Sequence, residues 1–191
     1  MSPTHANRPS RARLPCEDRC REAVTLGIGH SHEWHSCEAR RLAGAGAGAS
    51  RARAIRAAIV AQARREYPNE ACGLIVGSAP AGEGGSALRY ETARNAAASP
   101  YRYEIDPADL LRVSLETDDA DEAIWGIVHS HVRSAARPSP TDIGLAFYPD
   151  ALYLLVSLAE AEADPVNGEP GLRAWRILDG QVFEVELSVS V

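Results

Sequence analysis

The stretch "AIWGIVHSH", residues 123–131, runs directly into "VRSAARPSPTD", residues 132–142. The first part is an unbroken apolar run rich in β-branched and aromatic residues, the pattern of a buried strand. It ends in two histidines two positions apart. On a strand, positions i and i+2 project to the same side, so His129 and His131 offer two imidazoles together while Ser130 faces away. After a loop carrying Arg133 and Arg137, the tetrapeptide "SPTD" reads as a helix start. Ser139 is placed as N-cap, Pro140 at the first helical position and Asp142 in the first turn.

Working outward, the flanking sequence supplies alternating strands and helices. Upstream, "RARAIRAAIVAQARREY" predicts a helix capped by Ser50, with Ile55, Ala58, Ile59 and Gln62 on one face, ended by Pro68. "EACGLIVGS" predicts a buried strand and "GSAPAGEGGS" a loop. "ALRYETAR" (87–94) and "YRYEI" (101–105) are strand candidates, and "PADLLRVSLETDD" (107–119) is a helix opened by proline. Downstream, "SPTDIGLAFY" (139–148) predicts a helix and "ALYLLVSL" (151–158) a central strand. "LRAWRIL" and "VFEVELSV" then form a hairpin about Asp179-Gly180. The prediction is a mixed α/β domain over residues 51–191.

Residues 1–50 are different in kind. They are rich in Arg, Ser, Pro and Ala, lack a sustained period of 2 or 3.6, and end in "AGAGAGAS", so they are predicted to be a disordered extension or linker. Such an extension is also what a misassigned start site produces. They hold a second copy of the tripeptide HSH, His30 to His32, near Cys16, Cys20, His35 and Cys37. That set matches no zinc-module spacing and has no apolar pattern around it for a small core. It is not expected to bind metal.

Composition narrows the function classes. The chain has 191 residues and a formal charge of −6, with no lysine; seven arginines against five acids leave the first fifty residues at +2, so the rest carries −8. An acidic body argues against a nucleic-acid surface. No run reaches the roughly 18 apolar residues of a membrane span, no signal-peptide core is visible, and the four cysteines do not form a secreted disulfide framework. A cytoplasmic location is expected. Oligomeric state is not legible.

The chemistry is carried by a spaced set. Two histidines and Asp142 leave a fourth tetrahedral position open, the arrangement of a catalytic Zn²⁺ rather than a structural one. Such a metal makes hydroxide available near neutral pH. Glu70, just before a buried strand, is placed to take a proton and pass it to a leaving amine. Each residue also has a plainer reading. The histidines can be ordinary strand-end residues, Glu70 a solvated acid, and Ser139 and Asp142 a helix start. An aspartate bound to metal is not free to complete a capping box, which sets the two roles of Asp142 against each other. Cys72 reads as a small core residue, not a nucleophile. Arg133 and Arg137 serve either solubility or contact with a substrate carboxylate. Tyr101, Tyr103, Trp125, Trp175 and Phe183 read as structural.

Glu70 in "PNEACGLIVG" with His129, His131, Ser139 and Asp142 in "HSHVRSAARPSPTD" resembles the signature of the JAMM (MPN-plus) zinc metallopeptidases. That signature has an upstream Glu, then H-x-H, seven residues, Ser, two residues, Asp. The resemblance covers about residues 50–191. It implies a single JAMM/MPN domain with a cytidine-deaminase-like mixed sheet flanked by helices. It implies His129, His131 and Asp142 as Zn²⁺ ligands, Glu70 as general acid/base, and Ser139 as a hydroxyl stabilising the oxyanion. Within the family, "ARREYPNEACGLIVG", "AASPYRYEIDPADLLRV" and "YPDALYLLVS" are most similar to the actinobacterial type. That type frees cysteine from the C-terminal glycine of a ubiquitin-like sulfur-carrier protein, in cysteine biosynthesis. The alternatives are an isopeptidase on other ubiquitin-like or peptide conjugates and a non-catalytic binding module, the latter expected to have lost ligands. One departure is Val132, where many members carry proline after the second histidine.

Overall fold

A computed structural model describes residues 47–187. Residues 1–46 of the predicted extension, with the His30–His32 tripeptide and its neighbouring cysteines, and the last four residues of the chain lie outside the described residues.

Helix α1 (Ala47–Glu66) leads into strand β1 (Cys72–Gly77), followed by β2 (Ala87–Ala93), α2 (Pro107–Asp119), β3 (Ala123–His131), α3 (Pro140–Gly144), β4 (Leu152–Ser157), β5 (Gly171–Leu178) and β6 (Gln181–Val185). The six strands form one sheet in the order β2-β1-β3-β4-β5-β6. β3 and β4 are parallel and every other neighbouring pair is antiparallel. The parallel pair needs a crossover, and residues 132–151, including α3, supply it. The mixed α/β class predicted from the sequence is the one observed.

Alternation sorts the two faces. Leu74, Val76, Ile127, Tyr153, Leu155, Trp175 and Ile177 gather on one face with Val113 of α2. On the other, Ile75 pairs across to Tyr90, whose hydroxyl donates to Gln62 of α1 at 2.5 Å. Gln62 Nε2 in turn donates to the carbonyls of Cys72 and Ala93 at 3.0 and 3.3 Å, tying α1 to the start of β1 and the end of β2. Only glycine fits at position 73, since a Cβ there would lie 2.6 Å from the Glu91 backbone carbonyl oxygen as well as 2.4 Å from the Tyr90 hydroxyl. At the β5–β6 hairpin Asp179 and Gly180 both take positive φ (49° and 76°), the pairing a two-residue primed turn requires.

Several expectations are corrected. The α1 helix takes in Ala47–Ser50, assigned above to the linker, so Ser50 lies within the helix and caps nothing. Alanine is the strongest helix former and a single internal glycine is tolerated. The buried stripe of α1 is Ile55, Ile59, Val60, Gln62 and Ala63, while Ala58 is exposed. "YRYEI" is not a strand: only an isolated bridge, Asn95 to Ile105, forms there. The Asn95 side chain takes over the hydrogen bonds a ladder would have used. Its Oδ1 accepts from Ala97 N and Glu104 N, both at 3.0 Å, and its Nδ2 donates to Arg102 O at 3.2 Å and Glu70 O at 2.9 Å. Tyr101 is 84% exposed and packs no core, against the structural role expected of it. Trp125 and Trp175 are buried as predicted, whereas Phe183 lies half-exposed on the edge strand. The predicted helix over 139–148 is shorter, ending at Gly144.

Candidate metal centre

β3 ends beside β1 and β4, and all the predicted site residues cluster at that end. Because His129 and His131 are two apart, both rings lie on the α2 face of the sheet, with Nε2 atoms 3.3 Å from each other. Asp142, in the first turn of α3, approaches from the crossover. Its Oδ1 lies 3.5 Å from His129 Nε2 and its Oδ2 3.6 Å from His131 Nε2. All three residues are buried. One ligand atom from each lies within 4.8 Å of the others, the geometry of a group that could hold a metal ion.

The protonation pattern fits a cation. His131 Nδ1 sits 2.6 Å from the Ala135 carbonyl oxygen, and only an N–H can make that contact, so the proton is on Nδ1 and Nε2 presents a lone pair. Burial acts to lower the pKa of His131, but Asp142, the Ala135 carbonyl and Glu70 outweigh it and leave the net direction upward. Burial lowers the pKa of the fully enclosed His129 and keeps it neutral, as a ligand must be. Burial would raise the pKa of Asp142, yet its contacts with His129, His131 and Ser139 dominate and hold it ionised. Two imidazole nitrogens and a carboxylate oxygen converging on one point form a donor set suited to Zn²⁺.

Asp142 faces the two histidines and also caps α3. Ser139 Oγ accepts from Asp142 N at 3.2 Å and Asp142 Oδ2 accepts from Ser139 N at 2.7 Å, a complete capping box. A carboxylate has two oxygens with several lone pairs, so accepting from the Ser139 N–H leaves further lone pairs on the same side chain. The cap holds the carboxylate in place and leaves Oδ1 facing His129. The Ser139 hydroxyl uses a lone pair in the cap and keeps its proton available for donation.

Glu70 precedes β1 and is buried. Its backbone N–H donates to Ser99 O at 2.9 Å and its carbonyl accepts from Asn95. Burial pushes its carboxyl up from 4.5 to about 7, with His131 pulling down and Asp142 adding to the rise. Ser130, the residue between the two histidines, aligns the elements from the opposite face: its Oγ accepts from Ala71 N at 2.7 Å and its N–H donates to Ala71 O at 2.9 Å. Sequence reasoning missed Ser130, Asn95 and Tyr103, whose ring stacks on His129 at 4.2 Å between centroids. A serine within H-S-H and an asparagine in a loop carry no period that would mark them.

The loop bearing Val132 is held by three carbonyls. Ala135 O accepts from His131 Nδ1 at 2.6 Å, Ser134 O accepts from Ser157 Oγ at 2.7 Å, and Ala136 O accepts from Trp175 Nε1 at 2.9 Å. Val132 itself is buried. Arg133 and Arg137 are both exposed, and the Arg137 guanidinium lies 5.9 Å from the centre of the Trp175 ring. Cys72 is fully buried with its thiol pushed up to about 12, chiefly by burial, so it is a core residue and no nucleophile.

Comparisons with known proteins agree with this geometry. Residues 52–178 match the family described as prokaryotic homologs of the JAB domain. The chain is 43% identical over 132 residues to the CysO-cysteine peptidase of Mycobacterium tuberculosis (strain ATCC 25618 / H37Rv), covering 69% of this chain and 84% of that one. It is 32% identical over 91 residues to the desampylase of Haloferax volcanii, covering 47% of this chain and 63% of that one. The solution structure of a protein from Desulfitobacterium hafniense is similar with a TM-score of 0.59 and 31% identity, over 70% of this chain and 86% of that one.

Proposed function

The chain belongs to the prokaryotic JAB-domain family, and from that premise we propose that it is a zinc-dependent peptidase. In this reading it cleaves the bond between the C-terminal glycine of a ubiquitin-like sulfur carrier and cysteine, in cysteine biosynthesis. The observation that carries it is the convergence of His129, His131 and Asp142 beside the buried Glu70, in a chain 43% identical to a peptidase named for that substrate.

His129, His131 and Asp142 would hold the metal, which when bound supplies Lewis acidity to water and to the scissile carbonyl. Glu70 takes a proton from the attacking water and delivers it to the departing amine. The water oxygen bonds to carbon and the C–N bond then breaks, leaving the cysteine amine and the glycine carboxyl, which releases its remaining proton to solvent. A carboxyl near 7 suits both steps at neutral pH. Ser139 donates its hydroxyl proton to the carbonyl oxygen as charge builds there. Neighbouring Asp142 stays fixed through the same cap.

The test is incubation of the purified protein with a carrier–cysteine adduct, with and without a chelator, read by intact mass. The reading requires loss of one cysteine residue from the adduct and its suppression by chelator. Persistence of the adduct under zinc-replete conditions overturns it. The similarity to an archaeal desampylase favours a second reading, an isopeptidase on other ubiquitin-like conjugates. Cleavage of a lysine-linked conjugate with the cysteine adduct left intact would select it. A non-catalytic module is disfavoured, since no ligand position has been lost.

A further inference from the structure

We propose that Tyr103 is the positioning residue for His129, holding the plane of its ring by stacking where a metal-ligating histidine ordinarily relies on a hydrogen bond. The inference rests on the reading of His129, His131 and Asp142 as a metal site.

The two histidines are supported differently. A metal-bound imidazole almost always donates its second ring N–H to a carbonyl, carboxylate or water, which fixes ring orientation. His131 follows this, through Nδ1 and the Ala135 carbonyl. His129 does not: its Nδ1 is buried and has no hydrogen-bond partner. The terminal torsion of histidine has broad wells, and on the Nδ1 side no hydrogen bond confines the ring. What lies against it is Tyr103, with 4.2 Å between centroids and 18° between planes. A near-parallel ring at that distance blocks rotation out of plane, and the Nε2 lone pair directed at the site lies in that plane.

Tyr103 is itself held. Its neighbours Arg102 and Glu104 are bonded through backbone atoms to the Asn95 side chain, at 3.2 and 3.0 Å, and its ring packs against the core cluster that includes Val113 and Leu155. Asn95 also bonds the Glu70 carbonyl, so one side chain sets the position of the proton carrier and of the ring that orients a metal ligand. The Asn95–Ile105 segment, lost as a strand, thus becomes a support for the site.

The test is Zn²⁺ affinity by competition with a chromophoric chelator, together with the visible absorption of the Co²⁺-substituted protein. In Tyr103→Leu and Tyr103→Met the affinity is expected to fall roughly 10- to 100-fold, the range for loss of a group supporting a ligand, with the cobalt bands shifted. Tyr103→Phe keeps the ring face and is expected within about twofold of the parent, with the parent spectrum. A role confined to core packing would lower thermal stability in the Leu and Met variants and leave the cobalt bands of the folded protein in place, which overturns the inference. So does a Tyr103→Phe variant that falls with the other two, since the hydroxyl would then be responsible. If Tyr103→Leu does not fold, Tyr103→Trp set against Tyr103→Met makes the same comparison. Parent protein that takes up neither metal overturns the metal reading and this inference with it; parent uptake unchanged by the Leu and Met variants overturns this inference alone.

Discussion

At the scale of single residues, burial and neighbouring charges shift the protonation of the groups in the site. Glu70 carries the clearest consequence. Its folded carboxyl sits near 7 against 4.5 when unperturbed, mainly through burial. A raised folded pKa means the stabilising contribution of the protonated acid is complete below about pH 4.5 and is lost as pH rises through about 7. Glu70→Gln has no charge to bury. In metal-free protein it is expected to exceed the parent in stability at pH 8, by up to ~3 kcal/mol, and to lose that advantage as pH falls below about 5. Urea unfolding at both pH values checks this, and equal gaps at the two would contradict it. The same variant is expected to lose about 10²- to 10⁴-fold in turnover while retaining zinc, measured by product mass and metal analysis. The candidate set was legible because its spacing matches the JAMM signature: H-x-H, Ser and Asp stand at fixed offsets after an upstream Glu. The double use of Asp142 was not, because a sequence does not say which oxygen of a carboxylate faces which partner.

At the scale of elements, the segment between β2 and α2 shows how one side chain replaces a ladder. Pattern and propensity both favour a strand over residues 101–105, yet Asn95 satisfies those backbone groups first. Asn95→Ala would strip an acceptor from Ala97 and Glu104 and a donor from Arg102 and Glu70. The expected cost is ~2–4 kcal/mol, the penalty of several partly buried polar groups left unpaired. Turnover is expected to drop further than stability alone explains, because Glu70 loses one of its two backbone anchors. Urea unfolding together with kcat on the folded fraction separates the two effects; wild-type kcat in that fraction would mean Ser99 suffices. Ser139 gives a second test at this scale. Ser139→Gly keeps a tolerated cap residue and loses the hydroxyl, so stability should change by only a few tenths of a kcal/mol while catalysis falls. Elements with a strong period, such as α2 and β3, came out with their predicted bounds. Those whose hydrogen bonds go to distant side chains did not.

At the scale of the whole molecule, the order of strands explains why residues far apart in sequence share one centre. β3 lies between β1 and β4, so the ends of β3, the start of β1 and the crossover to β4 meet at one edge. The sequence shows strand-like segments but not their order, since pairing depends on which faces are covered by α1 and α2. The three residues that could hold a metal span the crossover, with two on β3 and one on α3. A ligand that binds the folded state alone stabilises it by RT ln(1 + [L]/Kd), ~2.7 kcal/mol at a hundredfold excess over Kd. Zinc at that excess should therefore raise the melting temperature, and a chelator should return it to the metal-free value. For a domain of this size the rise is on the order of 5–10 °C. Asp142→Ala should remove the metal-dependent part and, through loss of the capping box, also lower the metal-free baseline. Differential scanning calorimetry of parent and variant, each with zinc and with chelator, tests both terms. A zinc-induced rise of the same size in the variant would mean that the ion binds elsewhere than between β3 and α3.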